Sequence, residues 1–190
     1  MKKFALTTLA VMAAVGVLAV QPADAKKVQQ DPSMALINMP MNDEIQQVNG
    51  VSKSANKETQ RLSNKLADAT RVMVKKNWKT IYIKAVPTGD KSAVRFYYTD
   101  KNGQVYNGQV IRNTGLSKGK YMTGSLRQTE ALQELVNHLQ RTGQEVPSSI
   151  DIIITQGGYR SKTIFNYDED TSNLAAYQQQ YEEQNFPTMK

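Results

Sequence analysis

The spacing of apolar residues changes twice along this chain, and that change restricts the fold more than any other feature of the sequence. Beyond Val51, Leu62, Leu66, Ala69 and Met73 recur at helical spacing, with Lys57, Arg61, Lys65 and Asp68 on the other faces. The pattern predicts an amphipathic helix that Ser52 or Ser54 could cap and that ends near Lys76-Asn77. At Trp78 the period falls to two. Ile81, Ile83 and Ala85 alternate with Tyr82, Lys84 and Val86 until Pro87 stops the ladder, and Val94, Phe96 and Tyr98 alternate with Arg95, Tyr97 and Thr99. Asp100-Lys101-Asn102-Gly103 supplies residues that tolerate the backbone of a tight hairpin, and a third strand is expected from about Val105 to Arg112. Three strands joined by short turns make an antiparallel meander.

The helical period then returns. Asn113 to Met122 reads as a Gly- and Lys-rich loop, Ser125 with Gln128 as a capping box, and Leu132, Leu135, Val136 and Leu139 as the buried stripe of a second helix. Gly143 is placed to end that helix in a left-handed conformation. Ile150, Ile152 and Ile154 mark a fourth strand, Gly157-Gly158 a turn, and Thr163, Phe165 and Tyr167 one face of a fifth. A polar helix from Ser172 to about Gln184 carries Leu174, Tyr177 and Tyr181 on one side. The order α-β-β-β-α-β-β-α implies one α+β domain over residues 51–190. In it an antiparallel sheet of about five strands is packed on one face by helices, and the domain ends in an acidic, polar C-terminal extension.

The N-terminal fifty residues follow other rules. Lys2 and Lys3 precede an uncharged apolar run from Phe4 to Val20, Gln21-Pro22 breaks it, and Ala23-Asp24-Ala25 sets small residues where a signal peptidase reads. Residues 1–25 are therefore expected to be a secretory signal peptide cleaved after Ala25, which places the mature chain in the periplasm or outside the cell, with no stable membrane insertion after cleavage. Residues 26–50 mix Gln, Asn, Asp and Pro without a period and read as a poorly ordered leader. The chain has no cysteine, which an oxidising compartment tolerates. Its charge is uneven. From Lys26 to Asn166 there are 21 Lys and Arg against 11 Asp and Glu, whereas Asp168, Glu169, Asp170, Glu182 and Glu183 make the C-terminal segment acidic.

Few catalytic constellations survive inspection. Without cysteine there is no thiol nucleophile, thiolate metal site or redox pair. His138 is the one histidine and sits beside the Leu135/Leu139 stripe, which points to a flanking packing or surface role more than to a general base. Gly115-Leu116-Ser117-Lys118-Gly119-Lys120-Tyr121 has the wrong glycine spacing for a phosphate loop and Tyr in place of its Ser or Thr. The segment from Asp168 to Gln179 resembles a calcium loop only until Asn173 and Gln179 replace the required Gly and Glu. No cofactor or metal is expected. The aromatic strands could stack bases, but the basic residues are dispersed and no nucleic-acid motif is present.

Three segments carry a family resemblance by their order and spacing: Asn77-Trp78-Lys79-Thr80-Ile81-Tyr82-Ile83, Val94-Arg95-Phe96-Tyr97-Tyr98 with its Lys101-Asn102-Gly103 turn, and Lys162-Thr163-Ile164-Phe165-Asn166-Tyr167-Asp168-Glu169-Asp170. Across Val51 to Asp170 the chain resembles the YezG-like bacterial immunity proteins, the antitoxin partners of polymorphic toxins. The signal peptide, the leader, the C-terminal extension and Val146-Pro147 ahead of the fourth strand set it apart within that resemblance. The resemblance implies a non-enzymatic protein that binds and neutralises a cognate secreted toxin. Tyr167, Asp168, Glu169 and Asp170 are the expected partner-binding residues, acids that could steer a basic surface beside an aromatic anchor. Two alternatives remain open at this point: a periplasmic inhibitor of an envelope hydrolase such as a lysozyme, and a cell-envelope enzyme drawing on Asp168, Asp170 or His138.

Overall fold

The computed structural model of the chain describes residues 53–87, 93–156 and 160–189. The expected signal peptide, the leader, the Ser52 cap and the Gly157-Gly158 turn lie outside these residues. The elements are α1 (Lys53–Arg71), β1 (Thr80–Val86), β2 (Ala93–Thr99), β3 (Val105–Asn107), a single-turn α2 (Ile111–Thr114), α3 (Lys118–Arg141), β4 (Ser149–Thr155), β5 (Arg160–Asn166) and α4 (Leu174–Asn185). The strands form one antiparallel sheet in the order β3-β2-β1-β4-β5. This is the α+β fold that the alternation of periods implies.

Every residue of β1 is buried, which sets the architecture. β1 lies between β2 and β4, with Ile83 opposite Phe96 on one side and Ile152 on the other. Because side chains alternate between faces, Ile81, Ile83 and Ala85 join Phe96, Tyr98, Ile150, Ile152 and Ile154 on a single face. α1 and α3 cover that face through Leu62, Leu66, Leu132, Leu135 and Leu139. The other face carries Tyr82, Tyr97, Val105 and Ile153, and it too is covered. Phe186, just past α4, sits 4.5 Å from the Tyr97 ring and 5.4 Å from the Tyr82 ring, centroid to centroid, with Tyr181 and Met189 beside them. The sheet is therefore packed on both faces, not one, and the polar C-terminal segment forms the second layer.

Four local readings differ from the structure. α1 ends at Arg71, yet Met73 and Val74 stay buried, because their N–H groups turn back to Thr70 O and Arg71 O and the Lys75 N–H donates to Thr114 O at 2.8 Å. Its buried stripe also uses Thr59, Ser63 and Thr70, whose hydroxyls donate to carbonyls one turn back at 2.9–3.0 Å and so enter the core satisfied. β3 stops at Asn107 instead of running to Arg112: the Asn107 side chain accepts the Gln109 N–H and its carbonyl accepts the Val110 N–H, which bends the chain into α2. α3 starts at Lys118, so Ser125 and Gln128 lie inside it and cap nothing; Gln128 is buried and donates to Thr70 Oγ1 at 2.8 Å. Burial of Tyr121 and Gly124 on the face of Leu132 and Leu135 keeps those first turns helical.

The far end of α3 is as expected. Gly143 has φ +67°, its N–H donates to Gln140 O, and the Gln144 N–H donates to Leu139 O at 2.9 Å, the bond pair that closes a Schellman end. His138 is buried and donates from Nε2 to Ala55 O at 3.1 Å, a packing position that ties α3 to α1.

Gly108 lies against the Phe96 ring, and a β-carbon there would overlap three of the ring atoms. Because Phe96 is fully buried and cannot yield, Gly108→Ala is expected to lower unfolding stability by about 1–3 kcal/mol, measured by urea denaturation.

Candidate functional site

β5 ends at Asn166 and the chain turns through Tyr167, Asp168, Glu169 and Asp170 before α4. Tyr167, at 39% exposure, and the two aspartates face outward, while Glu169 is half-buried. The turn is fixed from both ends. The Glu169 N–H donates to Ser148 Oγ at 3.2 Å, and Ser148 itself donates to Asn166 O at 2.9 Å. Asp170 Oδ1 accepts the Ser172 N–H at 3.0 Å, and hydrogen bonding to Ser172 holds the Asp170 carboxyl below its ordinary pKa. Asn173 then caps α4 by accepting the Ala176 N–H.

The Glu169 carboxylate points inward, where it accepts the Ser149 and Tyr177 hydroxyls and lies 3.2 Å from Lys84 Nζ. Lys84 comes from the middle of β1 and its side chain is only 3% exposed. Its ammonium also donates to Asp151 Oδ2 at 2.9 Å, a residue directly opposite it on β4. Asp151 is in turn bonded by Asn166 Nδ2 at 2.8 Å and by the Tyr181 hydroxyl at 3.3 Å. The rings of Tyr181 and Tyr177 flank the ammonium at 4.8 and 5.5 Å to their centroids. Two carboxylates, three hydroxyls and an amide thus surround one buried cation.

The titration of this cluster follows from its geometry. Burial is the largest influence on Lys84 and pulls its pKa down, but the Asp151 charge and hydrogen bonding with Tyr177 and Asp151 outweigh it, and the net shift is upward. For Glu169 burial is again the largest influence and pushes the pKa up. Hydrogen bonds from Ser149 and Tyr177, with the Lys84 charge, overcome it and leave the carboxyl below its ordinary value. Burial raises the Tyr181 hydroxyl well above its usual pKa, with Asp151 adding to it. All three shifts favour a cationic lysine, an anionic glutamate and neutral tyrosines.

Of the four residues expected at the site, the structure brings Tyr167, Asp168 and Asp170 together on the surface and turns Glu169 into the protein. Lys84 and Tyr177 were not legible as partners of that turn, nor Asp151 and Tyr181 as members of the cluster around Lys84. The available signal was a charge at an alternate position of two strands that are otherwise apolar, Lys84 in β1 and Asp151 in β4. Among the described residues no group of three His, Asp or Glu is placed to hold a metal ion, and no helix is long and apolar enough to cross a membrane.

Residues 59–189 match the family described as immunity protein YezG-like. The chain belongs to the YezG-like immunity protein family. The matched stretch runs from α1 through α4 to Met189, so the second layer on the sheet lies within the family's domain. Among curated proteins none matches the chain. Membership makes binding of a partner toxin the general role of this domain.

Lys84→Met would leave Asp151 and Glu169 buried or half-buried without their cation, and it is expected to cost about 3–5 kcal/mol of unfolding free energy. A depressed carboxyl stabilises the native state above the unfolded value, here 4.5, and loses that effect as pH falls through the lower native value. The raised lysine acts in the opposite sense: its stabilisation is complete below its unfolded value of 10.5 and is lost as pH rises through the native one. Thermal melts of wild type and Glu169→Gln should therefore differ at neutral pH and converge as the pH falls from 4.5 through the lower native value.

Proposed function

We propose that the protein is an exported immunity protein that neutralises a cognate toxin in the periplasm by covering part of the toxin's surface, with no chemistry of its own. The family supports the immunity role. The charged, apolar and small-residue pattern of the first twenty-five residues supports export. The observation that carries the assignment of a binding surface is the inward anchoring of Glu169. With that carboxylate tied to Lys84, the turn is held rigidly and presents Tyr167, Asp168 and Asp170 to solvent without an ordering cost on binding. Two exposed acids beside an aromatic ring suit a basic patch on the toxin: charge at the rim accelerates encounter, and the ring supplies buried contact.

The partner can be identified by affinity capture of the tagged protein from a periplasmic extract, followed by mass spectrometry. With that toxin in hand, Asp168→Asn/Asp170→Asn should slow association several-fold at low salt and flatten its salt dependence, while the melting temperature stays unchanged. Tyr167→Ala should act mainly on the dissociation rate. Association kinetics indifferent to both changes would remove the turn from the interface. Cell fractionation that finds the full-length chain retained in the cytoplasm would overturn the proposed location.

A further inference from the structure

A second surface has the composition of a recognition site and differs in sign from the acidic turn. Between the end of α1 and the first turns of α3 runs a groove of about 380 Å³ lined by Val72, Met73 and Leu116 and by Lys75, Lys120 and Arg127. The lining contains no acid, and among the described residues none of these three cations forms an ion pair. The other groove between the same helices, bounded by Glu58, Arg61, Glu134 and Arg141, is neutralised internally by the Arg61–Glu58 pair at 2.7 Å, with Lys65 on Glu134 at 2.6 Å. Two of the cations at the mixed groove, Arg61 and Lys65, thus meet acids, whereas the basic groove offers its cations none.

Within the groove Val72 is 45% exposed, so an apolar side chain is open to solvent beside the cations. The floor is tight: Gly124 brings α3 so near Met73 that a β-carbon there would come within 2.8 Å of it. A hydrophobic concavity ringed by unneutralised cations favours an apolar side chain carried between carboxylates.

We propose that this groove docks an acidic segment of the toxin that inserts an apolar side chain over Val72, Met73 and Leu116, its carboxylates meeting Lys75, Lys120 and Arg127. The proposal rests on the immunity reading for the identity of its occupant. A lipid surface offers negative charge but no side chain to fill a concavity, which is why a protein segment is the better fit.

The test uses the mature, isotope-labelled protein and an acetylated peptide Glu-Leu-Glu-Asp-Leu-Glu as probe, followed by NMR. Saturable shifts are expected at Val72, Lys120, Thr123 and Arg127, weakened about tenfold by Lys120→Glu/Arg127→Glu and by replacing the peptide's acids with amides. These exposed substitutions leave the core alone, and an unchanged melting temperature checks that. No saturable shifts, shifts elsewhere, or binding indifferent to the charge reversal would overturn the proposal. So would the same residues responding to vesicles of phosphatidylglycerol and phosphatidylcholine but not to the peptide. In toxin-challenged cells the double variant should lose protection. Full protection without peptide binding would remove the groove from the toxin interface and leave the immunity role standing. Peptide binding by a wild-type protein that gives toxin-challenged cells no protection would instead overturn the occupant's identity, leaving the groove's chemistry in place.

Discussion

A lysine ammonium buried at the centre of a sheet is the interaction on which the rest of this structure depends. Lys84 lies on the strand that is covered on both sides, so its charge has no water to meet and must be answered by protein groups. Asp151 answers from the neighbouring strand, fixing the β1–β4 register, and Glu169 answers from the turn after β5. Tyr177 and Tyr181 close over the pair from α4. One cation thereby joins the middle strand, the turn and the C-terminal helix into a single unit. The aromatic packing of Phe186 on Tyr82 and Tyr97 then seals that face against water.

In the proposed role that unit serves to hold a binding surface in place. A rigid turn holding Tyr167, Asp168 and Asp170 outward, and a basic apolar groove beside α3, are surfaces of opposite sign on one scaffold. If both surfaces are engaged as proposed, recognition would be selective, because a wrong partner would set like charges together or leave a cation uncompensated. Membership in an immunity family is consistent with this economy of means: the fold supplies position, and the contacts supply specificity.

Much of the architecture was legible because hydrophobic period reports secondary structure directly. The alternation in β1, β2 and β4, the stripe of α3 and the Gly143 end all follow from local geometry. The misread places have a common cause. Asn107 bends the chain through its own side chain, and Lys118 to Thr123 are helical because Tyr121 and Gly124 pack on the core, despite a composition that suggests a loop. The two-sided sheet was hidden for a related reason. α4 is polar by composition, and its Leu174/Tyr177/Tyr181 side is joined on the sheet by a buried glutamine and by a phenylalanine just beyond the helix, which the spacing within the helix does not announce.

The candidate site divides in the same way. Its exposed members, Tyr167, Asp168 and Asp170, could be picked out as a cluster of neighbours, since adjacency along the chain is itself a sequence property. That Glu169 belongs to the interior could not, because its partner Lys84 lies 85 residues away and is brought near it only by the pairing of β1 with β4. The amino-acid order alone determined the periods, the turns and the absence of thiol chemistry, all of which depend on near neighbours. Only the folded sheet decided which charges are paired inside and which remain free to meet a partner, because burial and Coulomb attraction depend on distance in space and not along the chain.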